Sequence, residues 1–281
     1  MASFFDAESD RPTEPRFEAL GRVQDAPDAQ EFMLCCQPKV DLRFSKVLGF
    51  EALLRWKQVQ RGIVAPATFL PLIEHTGLSV SVDDWVRRRG QQQLSKWQSE
   101  GLDIMLGANI SARYLQEVNF SQRLTQLLEQ DPPHVSERLI IEVLKTAALA
   151  DIDHTSELMR TCQALGMRFA LDDFGGGCSP LSYLKRLPLG LLKIDRSFIH
   201  NMMGDAQDLA LVEGVMGLSK AFRCTVVAER VEADAQAQRL IELGLLVGQG
   251  NGIGRAIPLR ELPGWMGNHV GTDTPTWAIT T

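Results

Sequence analysis

The pair Asp172-Asp173 closes the apolar run Phe169-Ala170-Leu171 and opens, past Phe174, onto Gly175, Gly176 and Gly177. An ionised carboxylate withdrawn from water costs several kcal/mol unless it is paired or bound to a metal, so two together at a strand end imply a use. Successive side chains of a regular strand face opposite ways, so the pair can serve one site only where the strand is ending, and the glycines ease such an ending. Other apolar runs carry or end on polar groups as well: Glu51, Asn109, Glu142, Lys193 with Asp195, Glu229 with Glu232 beyond it, and Gln249. Singly, each reads as a solvated strand end or a helix cap. Brought together, several acidic groups and an amide repel strongly unless cations are present. Hard oxygen donors without histidine or thiolate favour Mg²⁺ or Mn²⁺ over zinc, and a carboxylate such as Asp172 can bridge two ions. A two-metal site activates a water and stabilises the attacking and leaving oxygens of an in-line displacement at phosphorus, which points to phosphodiester hydrolysis. Lys193 would orient the attacking hydroxide, offset phosphate charge, or simply form a salt bridge with a carboxylate; Glu229 would hold a metal or accept the water's proton.

The elements that must position these groups follow from hydropathy. Short apolar runs occur at Met33 to Val40, Val47 to Trp56, Ile104 to Ile110, Leu139 to Leu144, Arg168 to Phe174, Leu191 to Ile194, Cys224 to Ala228 and Leu245 to Val247. Helical patterns separate them at Pro66 to His75, Val82 to Trp97, Ser121 to Gln130, Ser156 to Leu165, Leu181 to Leu187, Ala206 to Phe222 and Ala233 to Leu243. In the sixth of these, Leu209, Val212, Val215, Met216, Ser219 and Phe222 can share one stripe. Strands alternating with helices predict a mostly parallel sheet, and eight such strands predict a (β/α)8 barrel with chemistry at the C-terminal strand ends. The first two runs are joined only by residues 41 to 46, too few for a parallel crossover, so they should form an antiparallel hairpin within the barrel. Residues 1 to 28 read as a tail or linker with one short helical patch at Phe17 to Val23; the barrel takes 29 to 268, and 269 to 281 form a C-terminal tail.

Bulk properties limit the function classes. The 281 residues are 44% hydrophobic, and 29 Lys and Arg face 35 Asp and Glu, for a net charge of −6. That balance argues against a broad nucleic-acid surface, while leaving room for a small anionic ligand where cations are local. No apolar run approaches the roughly 20 residues of a membrane span, and the start lacks a signal-peptide pattern, so the chain is read as cytoplasmic. Cys35, Cys36, Cys162, Cys178 and Cys224 show no metal or redox spacing and are expected as buried free thiols.

The ordered series resembles the EAL domain family, whose members cut the bacterial second messenger cyclic di-GMP. It runs from Gln37-Pro38-Lys39-Val40-Asp41-Leu42 through Glu51-Ala52-Leu53-Leu54-Arg55-Trp56, Asn109-Ile110-Ser111, Asp172-Asp173-Phe174-Gly175, Leu192-Lys193-Ile194-Asp195 and Val227-Ala228-Glu229 to Gln249-Gly250. The resemblance implies a (β/α)8 barrel with an antiparallel first strand, hydrolysis of cyclic di-GMP to linear pGpG, and two Mg²⁺ or Mn²⁺ ions. By it, Glu51, Asn109, Glu142, Asp172, Asp173 and Glu229 match metal ligands. Lys193 and Glu229 match catalytic residues around the attacking water, with Glu51 and Asp173 counted beside them. Gln37, Arg55, Asp195, Glu232 and Gln249 match ligand-side positions of the site, although Arg55 could merely cover a strand end and Gln37 satisfy backbone groups. A homodimer is likewise implied, and the acidic N-terminal segment reads as a place where an upstream regulatory domain or partner would join. The chain also departs from the family pattern. Lys145 stands where a loop-bracing glutamate is usual, Gly176, Cys178 and Pro180 alter the loop after Asp173, Arg230 replaces a common glycine and Asn251 a usual tyrosine. The altered loop leaves open a catalytically weak domain that acts as a cyclic di-GMP receptor.

Overall fold

The computed structural model describes residues 14–117, 120, 122, 133–176 and 184–269. Its strands are β1 (Phe32–Asp41), β2 (Lys46–Gln58), β3 (Gly62–Val64), β4 (Met105–Ile110), β5 (Leu139–Leu144), β6 (Arg168–Phe174), β7 (Leu191–Ile194), β8 (Thr225–Ala228), β9 (Val247–Gln249) and β10 (Ile257–Pro258). Eight of them close a barrel in the order β1-β9-β8-β7-β6-β5-β4-β2, with β2 returning to β1. The first strand is antiparallel to both neighbours, β2 and β9, and the remaining barrel pairs are parallel. The short 41–46 connection thus makes the hairpin expected of it.

All eight expected runs are strands. The last sits slightly later than its apolar run, because Gly248 and Gln249 pair with Val40 and Lys39 of β1 while Leu245 packs in the core. The rim strands β3 and β10 were not anticipated; they hold only three and two residues and carry no alternation to read. The helices Pro66–Ile73, Gly77–Ser99, Ile152–Ala164, Ala206–Phe222 and Asp234–Glu242 stand where helical spacing predicts them. Ser121 to Gln130, taken as a whole helix, residues 181 to 183, and the loop residues Cys178 and Pro180 lie outside the described residues. In Ala206–Phe222 the stripe is buried at Val212, Val215 and Ser219 but frays at Phe222, which is 36% exposed at the helix end.

The segment read as a tail contains the helix Glu14–Asp25, and Val23 within it and Ala26 just after it are buried. Arg22 lies over the Trp56 ring at 5.5 Å, and Trp56 donates through Nε1 to Glu31 at 2.8 Å. Cys35, Cys36 and Cys162 are buried and Cys224 partly so, all as free thiols; burial pushes Cys36 and Cys162 up to about 12. No helix among the described residues is long and apolar enough to cross a membrane.

The barrel interior is layered by the two-residue period of its strands. Met105, Ile140, Ala170, Leu191, Val227 and Val247 form an apolar floor, each on a different strand. Two residues further along five of those strands stand Glu142, Asp172, Lys193, Glu229 and Gln249, which therefore point the same way one layer higher. On β4 the corresponding residue is Gly107, where an added Cβ would collide with the Glu142 carboxylate and lie 2.8 Å from Lys39 Nζ. Gly107→Ala is expected to lower the unfolding free energy by about 1–3 kcal/mol, as overpacking does, checked by urea denaturation.

Candidate active site

Lys193 is the centre of the polar layer. It is buried on β7, and its ammonium lies 2.7 Å from Glu142, 2.7 Å from Glu229, 3.1 Å from Asp172 and 3.5 Å from Glu51. Burial would lower its pKa, but the four carboxylates outweigh that and hold it well above the usual lysine range. A second buried lysine, Lys39 on β1, pairs with the other oxygen of Glu142. Lys39 was not foreseen as a site residue; its signal was a lysine two residues past Gln37 in the mostly apolar run Met33 to Val40.

Register brings the remaining groups together. Gln37 on β1 is paired with Glu51 on β2, and Asn109 on β4 with Glu142 on β5. Asn109 donates to Glu51 Oε1 at 2.7 Å, and Gln249 Nε2 donates to Glu51 Oε2 at 2.6 Å and to Gln37 Oε1 at 2.9 Å. Burial would raise Glu51, yet Lys193, Lys39 and the two amides hold it down at about 2. Glu229 is the opposite case: burial, with Asp172 and Glu51 close by, pushes it up to about 7 despite Lys193. Four carboxylates share two ammonium groups here, and the residual negative charge is felt at Glu229.

Asp172 and Asp173 solve their strand-end problem through the backbone. The β6–β7 register shifts between Leu171 and Phe174, and Asp173 adopts a left-handed φ of 56°, a conformation that aspartate tolerates better than most residues. The two carboxylates consequently gather on one side with Glu229; one oxygen from each of the three lies within 4.8 Å of the others. This donor set suits a hard divalent cation, and the buried Gln249 Oε1, which has no partner among the described residues, adds another oxygen to the same layer. Above it opens a cleft of about 340 Å³ bounded by Gln37, Glu51, Asp173, Glu229, Gln249, Asn251 and two arginines, Arg196 and Arg230.

Three expected site residues stand apart from this cleft. Asp195 accepts from the backbone and hydroxyl of Ser197, capping the helix Arg196–Asn201. Glu232 is exposed just outside, and Arg55 lies four residues past Glu51 on β2, about 13 Å up the strand, donating to the Leu54 carbonyl. Gln37 also donates to the Gly254 carbonyl at 3.1 Å, so it satisfies backbone as well as facing the cleft.

Behind Asn109 the strand end is pinned by a group that sequence reasoning passed over. Asp83, buried on Gly77–Ser99, accepts from the Ser111 amide at 2.9 Å and the Ser111 hydroxyl at 2.5 Å. Burial pushes Asp83 up to about 7 against the hydrogen bonds from Ser111. The unfolded carboxyl ionises first as pH rises, so the folded state binds more protons between 3.8 and about 7 and loses stability across that window. Urea denaturation at a series of pH values should show this decline in the parent protein and a shallower one in Asp83→Asn.

A family model of the EAL domain matches residues 20–256. Among curated relatives, the bifunctional diguanylate cyclase/cyclic di-GMP phosphodiesterase MucR of Pseudomonas aeruginosa is 34% identical over 263 residues, covering 92% of this chain and 38% of MucR. The cyclic di-GMP phosphodiesterase PA2567 of the same organism is 32% identical over 258 residues, covering 92% of this chain and 44% of PA2567. The chain therefore spans less than half the length of these two relatives. Of solved structures, the PaMucR phosphodiesterase in complex with c-di-GMP superposes with a TM-score of 0.82 at 35% identity, covering 87% of this chain and 99% of that one. An EAL domain protein from Listeria monocytogenes EGD-e superposes with a TM-score of 0.78 at 27% identity, covering 89% of this chain and 98% of that one. With the family pattern matched across most of its length and carried on the same barrel, the chain belongs to the EAL domain family.

Proposed function

We propose that the chain is a phosphodiesterase that hydrolyses cyclic di-GMP to linear pGpG with two Mg²⁺ or Mn²⁺ ions. The convergence of Asp172, Asp173 and Glu229 at the barrel mouth carries this reading, in a family whose relatives include cyclic di-GMP phosphodiesterases. Those three carboxylates, with Glu51 and Asn109, would hold the ions, and Glu142, whose two oxygens meet Lys39 and Lys193, would join them once an ammonium moves aside. When bound, such ions stabilise charge on the attacking and leaving oxygens of an in-line displacement.

The chain's own groups account for the rest. Glu229, beside Asp172 and Asp173 at the mouth, either helps to hold an ion or accepts a proton from the attacking water. The P–O3′ bond then breaks, leaving a 5′-phosphate, and the departing 3′ oxygen takes a proton from solvent. Lys193 offsets phosphate charge while keeping four carboxylates in place, and the Asn109 and Gln249 amides fix the orientation of Glu51. Gln37 and Arg55 receive the ligand from the rim, where the guanidinium suits phosphate. Homodimerisation and control by a further domain or partner belong to the same reading, the latter supported by the greater length of the relatives.

A second reading, a receptor that binds cyclic di-GMP without turnover, rests on Lys145. It opens the helix Lys145–Ala150 directly after β5, where a cation opposes the helix dipole, and it makes no ion pair or hydrogen bond among the described residues. Incubation with Mn²⁺ and cyclic di-GMP, followed by chromatography, is expected to yield pGpG. Chelation should abolish product, and Glu51→Ala should lower turnover by at least about 100-fold. No product at high enzyme concentration contradicts the enzyme reading. Lys145→Glu separates the two: raised turnover marks a tunable enzyme, whereas tight binding with no turnover before and after the substitution marks the receptor.

A further inference from the structure

Arg230 immediately follows Glu229, is exposed, and holds a left-handed φ of 53°. Glycine takes that conformation freely, whereas a residue with a Cβ carries a backbone penalty there. Strained non-glycine residues persist where the surroundings impose them, often at ligand clamps, so the outlier itself is informative. Its location adds to this. Arg230 lines the cleft above the carboxylates, and Arg196, the first residue of its helix, lines the same cleft. Among the described residues neither guanidinium makes an ion pair, although Asp173 and Glu229 border the same space. In a chain of net charge −6, two arginines without an ion pair among the described residues line the cleft above the carboxylates.

We propose that Arg230, with Arg196 beside it, forms an anion subsite for the second, non-scissile phosphate of a cyclic dinucleotide whose scissile phosphate lies on the carboxylates below. This deepens the function proposed above and rests on it. A cyclic dinucleotide carries two phosphates, and only one can occupy the acidic floor. The other needs a cation at the mouth, and a guanidinium offers two parallel donors to a phosphate. Arg230 is thus a specificity-determining residue that adds ground-state affinity and leaves the chemistry to the layer beneath.

The test compares the Mn²⁺-loaded parent protein with Arg230→Gly, Arg230→Gln and Arg230→Lys in steady-state hydrolysis of cyclic di-GMP. Gly removes both the charge and the strain; Gln removes the charge alone. Both are expected to raise KM roughly tenfold while kcat changes less than about threefold, and Lys should recover most of the affinity. The rise of KM with added NaCl should be shallower in Gly and Gln than in the parent. Thermal melting should place Gly at or above the parent and Gln level with it, so a shared rise in KM reports lost binding. An unchanged KM in both variants of an active enzyme overturns this subsite alone, as does a fall in kcat without a rise in KM. A parent that neither binds nor cleaves cyclic di-GMP overturns the proposed function and the subsite with it.

Discussion

A buried ammonium held by four carboxylates is the interaction on which the site depends. Lys193 could not remain charged on β7 without Glu51, Glu142, Asp172 and Glu229, and these could not crowd one layer without it. The requirement reaches outward. Lys39 must occupy the far oxygen of Glu142, Gly107 must lack a side chain to make room for that pair, and the apolar floor must exclude water from below. The antiparallel β1 belongs to the same constraint, because its register sets Gln37 beside Glu51 and Lys39 beside Gln249. Two ammonium groups nonetheless face four carboxylates, an oxygen-rich layer that suits additional hard cations.

The mouth of the barrel is built differently, from backbone conformations that most side chains avoid. Asp173 and Arg230 both hold left-handed φ at the ends of functional strands, one turning a carboxylate toward its neighbour, the other presenting a guanidinium to the cleft. Rigidity below and strain above differ in origin: the strands fix the carboxylate layer, and the strand-end residues line the cleft over it.

Much of this was legible in the sequence because a barrel strand repeats every two residues. The apolar runs located all eight barrel strands, the brief 41–46 connection revealed the hairpin, and Asp172-Asp173 stood out as a pair that no ordinary strand end would carry. What was missed is what periodicity cannot express. Lys39 is hidden in an apolar run, and its partner Glu142 is 103 residues distant in sequence. Asp83 sits on a helix face and reaches a strand end through Ser111. Arg196 and Arg230 share a cleft only because β7 and β8 are neighbours. The helix cap formed by Asp195 and the exposure of Glu232 depend equally on local geometry that residue type alone does not reveal.

The proposed divalent metal centre lies in this carboxylate layer, lysines included. Anomalous diffraction from crystals grown with Mn²⁺ tests it most directly. Anomalous density is expected between Asp172, Asp173 and Glu229, with further density toward Glu51, Asn109 and Glu142. Crystals saturated with Mn²⁺ that show no anomalous density in this layer, with Lys193 still holding all four carboxylates, would contradict it.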